Sequence, residues 1–469
     1  MFPDVALLEI FECYMDQVRE DLDDELTARA WSTLVHVCQK WRSVVFGSPR
    51  RLGIRLFCTE TTPVKEMLGV WPPFPIVIGQ YIRPTQMDSI IGALKHNDRV
   101  CKLDLFGMTN SQLEEVLAAT QQPFPVLASL IMTIWWDDMD DFNWWEYELL
   151  DGPPPVVPDS FLGGSAPRLE HLTLERLPFP GLPKLLLSAT GLVSLYISQI
   201  PHSGYISPQA MVCCLSTLTR LEELKLGFQS PLSRPVRDTR HPHPPTRSTL
   251  PSLTHFRFIG ATEYLEDLVA RIDALLLDSL HIRFFHRLIF DAPQLAQFLA
   301  RTSIHPPIEA RIDFFEHYIE VTFPGIFPKK FVLAIGCRQS DWQLSSLSQV
   351  LSSSLPEAFI STVEHLYICE DKYLRPHWQD DIEDSQWLDL LHPFTAVKNL
   401  YLSREFVSRI APVLQEFARE LLPSLQNLSL QDLDPSGPVN GDIGKFVAAR
   451  QLTSLPVAVS HWDGNQDEW

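Results

Sequence analysis

The sequence has no run of apolar residues long enough to cross a lipid bilayer. A membrane-spanning helix needs at least about 18 predominantly apolar residues, and no such run occurs in the 469 residues. The first residues are acidic, where a secretory signal would carry basic residues ahead of an apolar core. We therefore expect an intracellular protein, cytoplasmic or nuclear, with no membrane partner.

The sequence also lacks the short motifs that mark common catalytic and metal sites. The 8 cysteines are scattered apart from Cys213-Cys214, and no Cys-x-x-Cys or His-Glu-x-x-His occurs. Glycine-rich phosphate loops and the Gly-x-Ser-x-Gly nucleophile turn are absent as well. These absences predict a protein that is not an enzyme and that uses no cofactor, metal or catalytic residue.

Basic residues are outnumbered, with 38 Lys and Arg against 58 Asp and Glu, which gives a formal net charge of −20. Nucleic-acid phosphates are bound mainly by Lys and Arg, so this balance argues against a nucleic-acid partner. The acidic residues cluster in residues 16–25, 137–151 and 370–389. Each cluster fits either a solvated loop or a partner-binding surface.

Apolar residues recur with helical periodicity near the N-terminus. Val5, Leu8 and Phe11 are three residues apart, and Pro3-Asp4 precedes them as a plausible helix start. A second stripe, which predicts a second helix, consists of Trp31, Leu34, Val35, Cys38 and Trp41. The acidic stretch from Tyr14 to Ala30 is predicted to link the two helices.

These two segments together carry a family resemblance. Pro3-Asp4-x-x-Leu7-Leu8-x-Ile10-Phe11, followed by Leu34-Val35-x-Val37-Cys38-x-x-Trp41-Arg42, resembles an F-box of the fungal type. The resemblance covers residues 1–52. The alternative is a plain two-helix cap that covers the edge of the following domain.

The resemblance implies a partner and a set of docking residues. An F-box would dock on a Skp-family linker and through it on a cullin scaffold, which makes the chain a substrate-recognition adaptor of a ubiquitin ligase. The residues that match the docking and core positions of the family are Pro3, Leu7, Leu8, Ile10, Phe11, Leu34, Val35 and Trp41. The sequence does not divide them between internal core and docking surface.

The rest of the chain repeats one apolar spacing, in which an apolar residue is followed by others three and five positions later. The alternation at the end of each copy predicts a short strand with one buried face. The copies begin at Val100, Leu169, Leu192, Leu221, Leu253, Leu277, Val363, Val397 and Leu425. Strand-plus-helix units of about 23–35 residues are typical of leucine-rich repeats, and the chain resembles the degenerate repeats that accompany F-boxes.

The predicted fold is α/β, an N-terminal helical F-box followed by an irregular leucine-rich-repeat-like solenoid. A non-repeat α/β domain with several parallel strands is the alternative. Residues 308–337 fit the repeat poorly, although 319–323 and 331–335 still predict strands. The predicted domains are the F-box-like helices at 1–52, a connecting segment at 53–98, the repeat domain at 99–462 with insertions at 134–158 and 230–249, and an acidic tail at 463–469.

The first insertion is the predicted surface for the target protein. Tryptophan is enriched at binding hot spots, and interleaved aspartates favour a basic target peptide. The predicted target-binding residues are Trp135, Trp136, Asp140, Asp141, Trp144 and Trp145. Packing of these tryptophans onto the repeat domain is the other interpretation. If the head is only a cap, the chain is a leucine-rich-repeat interaction scaffold.

Overall fold

A computed structural model gives the structure of most of the chain. It describes residues 2–20, 24–58, 68–81, 87–134, 152–229, 232–234, 247–285, 292–325, 329–336, 340–371, 384–431 and 441–463. These residues form two compact units. The N-terminal unit holds the described parts of 2–134, 152–206 and 217–220, and the C-terminal unit holds 207–216 with the described parts of 221–463.

The N-terminal unit combines a helical head with a parallel sheet. Its helices are α1 (Asp4–Glu20), α2 (Asp24–Val37), α3 (Gln39–Gly47), α4 (Met87–Leu94), α5 (Asn110–Ala119) and α6 (Leu182–Leu186). Its strands are β1 (Leu56–Cys58), β2 (Ile76–Tyr81), β3 (Val100–Met108), β4 (Ser129–Ile134), β5 (His171–Glu175) and β6 (Ser194–Ile200). All of them pair in chain order and in parallel.

The C-terminal unit continues the alternation of strands and helices. Its helices are α7 (Pro208–Leu215), α8 (Thr262–Val269), α9 (Pro293–Leu299), α10 (Ser340–Ser353), α11 (Glu357–Ser361), α12 (Asp384–Leu391), α13 (Arg404–Glu416) and α14 (Gly441–Leu452). The main-sheet strands are β7 (Glu223–Phe228), β9 (His255–Gly260), β11 (Ser279–Phe284), β12 (Glu309–Phe314), β13 (Tyr318–Pro324), β14 (Lys330–Gly336), β15 (His365–Glu370), β16 (Asn399–Leu402), β17 (Asn427–Gln431) and β18 (Ala458–Trp462). A separate parallel pair joins β8 (Ser248–Thr249) to β10 (Ile272–Asp273).

The repeated spacing corresponds to the strands. Each predicted copy lies on a strand or directly before it, and the apolar side chains at its second and third positions are buried, as in Leu224 and Leu226 of β7. The residue between these two positions is partly exposed in most of the strands, whereas Asp104 of β3 and Ser429 of β17 are buried. Since consecutive side chains of a strand point to opposite faces, one face of each sheet is core and the other is open. In each unit a long, mostly parallel sheet with connecting helices is consistent with a repeat, solenoid-like fold.

Of residues 308–337, which fit the repeat poorly, the described part contains three strands of an antiparallel meander. The order of the strands in the sheet is β11, β14, β13, β12, β15. β12 is therefore separated from β11 by two strands, and β13 and β14, which follow β12 in the chain, fill the space between them. β13 is antiparallel to both β12 and β14. Short connections favour antiparallel neighbours, because a parallel crossover needs a longer link. Both strands predicted here, at 319–323 and 331–335, are confirmed.

The predicted pair of helices at the N-terminus is wrong, because the head contains three. The segment from Tyr14 to Ala30 is largely helical, since buried Met15 extends the stripe of Leu7 and Phe11 by another four residues. The second predicted helix breaks at Cys38, whose backbone is extended with φ −160° and ψ 167°. α3 therefore starts in a new direction.

Residues 53–98, predicted to connect head and repeats, contribute β1 and β2 to the same parallel sheet as β3. The boundaries of the predicted domains stay a prediction. No described helix is both long and apolar enough to cross a membrane.

Removal of the cap of α5 is expected to destabilise the N-terminal unit by about 1 kcal/mol. Thr109 Oγ1 accepts a hydrogen bond from Gln112 N at 3.3 Å, and Gln112 Oε1 accepts one from Thr109 N at 2.9 Å. Thr109→Ala loses the first bond, whereas Thr109→Ser keeps the hydroxyl. In urea denaturation followed by circular dichroism, the alanine variant should unfold at a lower midpoint urea concentration than the serine variant and the wild type. Equal midpoints would contradict this prediction.

Candidate functional site

The helix α1 carries apolar side chains outside its buried face as well as on it. Leu7, Phe11 and Met15 are buried in the head. Val5 and Ile10 lie on the outside and are 65% and 51% exposed. An amphipathic surface helix ordinarily keeps charged or polar residues on its outer face, so exposed branched aliphatic side chains on α1 mark a candidate interaction surface.

More apolar side chains lie exposed in the head. Phe2, which precedes α1, is 66% exposed, and Val37 ends α2 with 55% of its surface accessible. Tyr14 is also exposed. We call Phe2, Val5, Ile10, Tyr14 and Val37 the exposed apolar set of the head. Exposed apolar patches mark interaction sites in proteins, and the exposed apolar set is the candidate for one in the head.

The interior of the head fixes the helices that carry this set. Leu34 and Val35 of α2 and Val45 of α3 are buried against α1. The rings of Phe11 and Trp41 meet edge to face with centroids 4.7 Å apart, which ties α1 to α3. Because these contacts lock three short helices together, the outer side chains stand on a rigid support.

Ion pairs hold the first helix at its N-terminus and near its middle. Lys40 Nζ lies 3.1 Å from an Asp4 carboxylate oxygen and donates to the Phe2 carbonyl at 2.7 Å. Arg51 Nη2 lies 2.6 Å from Glu12 Oε2, and this hydrogen bond raises the pKa of Arg51. Both pairs are largely exposed, so we assign them an orienting role and little stability.

A second side of the head packs against the start of the parallel sheet. Trp31 Nε1 donates to the Arg55 carbonyl at 3.0 Å, and the Trp31 ring lies 5.1 Å from that of Trp71. The Phe46 ring lies 5.6 Å from that of Phe74. The head therefore covers the β1 end of the sheet, while the side chains of the exposed apolar set stay in contact with solvent.

The structure separates the eight residues predicted to match docking and core positions. Pro3 and Ile10 are exposed, and Leu8 and Trp41 are partly exposed. The other four, Leu7, Phe11, Leu34 and Val35, are buried in the head. Burial assigns these four to the internal core, and their role in docking stays a prediction.

Sequence reasoning did not select Phe2, Val5, Tyr14 and Val37 as docking residues. Val5 was visible as part of the helical stripe, but its exposure depends on where α2 and α3 cover α1. The six residues predicted to bind the target, Trp135, Trp136, Asp140, Asp141, Trp144 and Trp145, lie outside the described residues.

The buried thiols offer no nucleophile. Burial raises the pKa of Cys58 and of Cys369 to about 12 and that of Cys214 to about 11. These groups stay neutral thiols near neutral pH, whereas the thiolate is the reactive form. Within the described part of the chain, no three His, Cys, Asp or Glu side chains cluster in a way that would hold a metal ion.

No family model matches the chain, and no curated protein matches it. A structure similar to it is that of the leucine-rich repeat-containing protein LegL7 from Legionella pneumophila, at 13% identity and a TM-score of 0.26, covering 86% of this chain and 98% of that one. A TM-score this low supports no inference about fold or function, so the repeat-like architecture rests on the strand and helix order of this chain.

Proposed function

We propose that the chain is a non-enzymatic protein-interaction scaffold, with repeat sheets that bind a target protein and a helical head that closes one sheet edge. The observation that supports the cap is the contact of Trp31 and Phe46 with Trp71 and Phe74. A solenoid edge exposes unpaired backbone groups and apolar core, which a terminal cap must cover.

We further propose that the head is an F-box, which makes the scaffold an adaptor of a cullin-type ubiquitin ligase. The exposed apolar set supports this proposal. A head that served only as a cap would need no apolar side chains on its solvent-exposed surface, where Val5 and Ile10 lie. A Skp-family linker that covered these side chains would remove them from solvent. The adaptor would then act by holding its target near the ubiquitin-charged enzyme, which raises the effective concentration of the target.

Introduction of charge at Val5 and Ile10 is expected to weaken linker binding at least tenfold without unfolding the head. Both side chains are exposed, so Val5→Asp with Ile10→Asp leaves a carboxylate in water in the free protein but buries it in the complex. Binding of the purified full chain to a Skp-family linker, measured by calorimetry, tests this expectation.

A control carries one added carboxylate elsewhere on the helix, and the single variants Val5→Asp and Ile10→Asp, each with one added charge, are compared with it. Gln17 is exposed near the end of α1, so Gln17→Asp adds a carboxylate outside the exposed apolar set. If wild type and control bind the linker and the double variant does not, with equal melting temperatures, the adaptor proposal is supported. If the wild type binds no linker, the F-box proposal fails and the scaffold with a cap remains.

A further inference from the structure

Cationic side chains gather on one face of the C-terminal sheet. Lys225 of β7 lies opposite Arg257 of β9, which in turn lies opposite His281 of β11. Arg283 follows His281 by two residues and therefore shares its face, and Lys330 of β14 lies opposite Ser279 at the start of β11. We call Lys225, Arg257, Arg283 and Lys330 the basic patch.

An imidazole lies in the middle of the basic patch. Burial lowers the pKa of His281 to about 3, and Arg257, Arg283, Lys330 and Lys225 all act in the same direction. His281 is consequently neutral at ordinary pH, and the four cations surround a group that cannot offset them. In a chain with a net charge of −20, four cations on neighbouring strands are a local concentration of positive charge.

The individual cations differ in their surroundings. Lys330 is exposed, whereas Lys225 and Arg257 are partly exposed at the surface of the sheet. Arg283 is buried, with its guanidinium carbon 4.9 Å from the centre of the Tyr318 ring. Lys225, Arg257 and Lys330 are therefore accessible to solvent, and Arg283 adds positive charge from a buried position.

Arg257 carries a donor that the described residues do not use. Its Nε is shielded from solvent and has no hydrogen-bond acceptor within the described residues. Buried polar groups in proteins are nearly always paired, so such a donor calls for an explanation. A carboxylate or phosphate is the acceptor that suits a guanidinium best.

Acidic residues on this face lie beside the basic patch. Glu320 of β13 and Asp313 of β12 are in register with Ala334 of β14, which is itself opposite Arg283. Burial raises the pKa of both carboxyl groups, and Asp313 Oδ2 accepts from Arg311 Nε at 2.6 Å. Glu223 precedes Lys225 by two residues and lies on the same face of β7, and Lys330 and Arg283 both act to lower the pKa of Glu320. The acidic groups therefore flank the basic patch, and Arg257 in its middle has Lys225 and His281 as its register neighbours.

The size of the basic patch fits a short extended peptide. Four neighbouring strands span about 14 Å at about 4.8 Å per step, and an extended peptide covers this in four or five residues. A nucleic acid would continue beyond the basic patch over the acidic remainder of the surface, where it would be repelled.

From this charge complementarity we propose that the basic patch binds an extended anionic peptide segment of the target protein. The proposal rests on the proposed function, in that it takes the sheet as the target-binding surface and names the chemistry of the target. It differs from the basic target peptide that the sequence predicted for the acidic insertion.

Fluorescence anisotropy with the purified full chain and labelled peptides tests the proposal. The probes are an Asp/Glu-rich peptide, a phosphoserine peptide of equal charge, a Lys-rich peptide and a single-stranded DNA of matched length. Saturable binding of either anionic peptide is expected, and the stronger of the two identifies carboxylate or phosphate as the preferred group. Binding should weaken as NaCl rises from about 50 to about 300 mM, because salt screens surface charge.

Substitutions inside and outside the basic patch test where the anionic peptide binds. Lys225→Gln with Arg257→Gln should weaken peptide binding at least tenfold with little change in melting temperature. Arg404→Gln with Arg419→Gln, at exposed positions outside the strands, changes the net charge equally and should bind as the wild type does. If the Lys225→Gln and Arg257→Gln chain melts early, Lys330→Gln alone, at an exposed position, replaces it and should still weaken binding.

Several results would overturn the proposal. These are absence of saturable binding, equal binding of the Lys-rich peptide, unchanged binding in the patch variants, or equally tight binding of the DNA, which would make the ligand a nucleic acid. The assay contains no linker, so loss of peptide binding with intact linker binding refutes the basic patch alone. The reverse result refutes the F-box proposal alone.

Discussion

Replacement of Trp387 by alanine is expected to destabilise the C-terminal unit by about 3–5 kcal/mol. Trp387 lies on α12 and is 1% exposed. Its ring contacts Phe314 of β12, with centroids 6.0 Å apart, and Phe406 of α13 at 5.6 Å. The alanine variant would lose the largest side chain at the junction of a strand and two helices and would leave a cavity that the surrounding rings cannot fill.

Trp462 provides the matched control for this substitution. It lies on β18 at the partly exposed face, with its ring 5.8 Å from that of Tyr401. Trp462→Ala should cost about 1 kcal/mol or less, because water replaces the lost contacts and no cavity forms. Urea denaturation followed by circular dichroism measures both variants. Equal losses of stability would show that the α12 contacts do not form the core of the unit.

The strands were predictable because their burial depends on local alternation. In a parallel sheet with one covered face, residues such as Leu400 and Leu402 of β16 must be apolar whatever lies further along the chain. The order of the strands was predictable only where they follow one another. The return of β13 and β14 toward β11 depends on pairing partners distant in sequence, which no local pattern specifies.

The head shows where helical periodicity misleads. The stripe that includes Val35, Cys38 and Trp41 fits one helix, yet the chain breaks at Cys38 and Trp41 instead meets Phe11 of α1. The apolar spacing continues across the break because α2 and α3 both pack apolar side chains into the interior of the head. For the same reason the sequence could not separate buried Leu7 from partly exposed Leu8, since both lie on a wide stripe and only the packing of α2 and α3 covers one of them.

The basic patch was not predictable from composition. Its cations are distant in sequence and alternate with core residues in separate strands, so no charge run marks them. The sequence feature that indicates the patch is the residue between the second and third apolar positions of each repeat. This residue is Lys225 in β7, Arg257 in β9 and His281 in β11. Alignment of the repeats on their apolar positions places these three in one row.

Acid is expected to destabilise the C-terminal unit partly through His281. Its ordinary pKa of 6.5 falls to about 3 in the folded protein, through burial and the neighbouring Arg257, Arg283, Lys330 and Lys225. As pH falls below the ordinary value, the unfolded chain takes up a proton that the folded chain does not. Stability is therefore intact above this window and is lost progressively as pH falls through it, by about 2 kcal/mol at pH near 5.

Substitution of His281 by asparagine should remove this part of the acid sensitivity. The wild type is expected to lose about 2 kcal/mol more than His281→Asn between about pH 7 and about pH 5, measured by urea denaturation at each pH. His255→Asn removes an exposed imidazole from the neighbouring strand and serves as control. If wild type and His281→Asn lose stability in parallel, burial and the neighbouring cations do not hold the imidazole neutral in the folded protein.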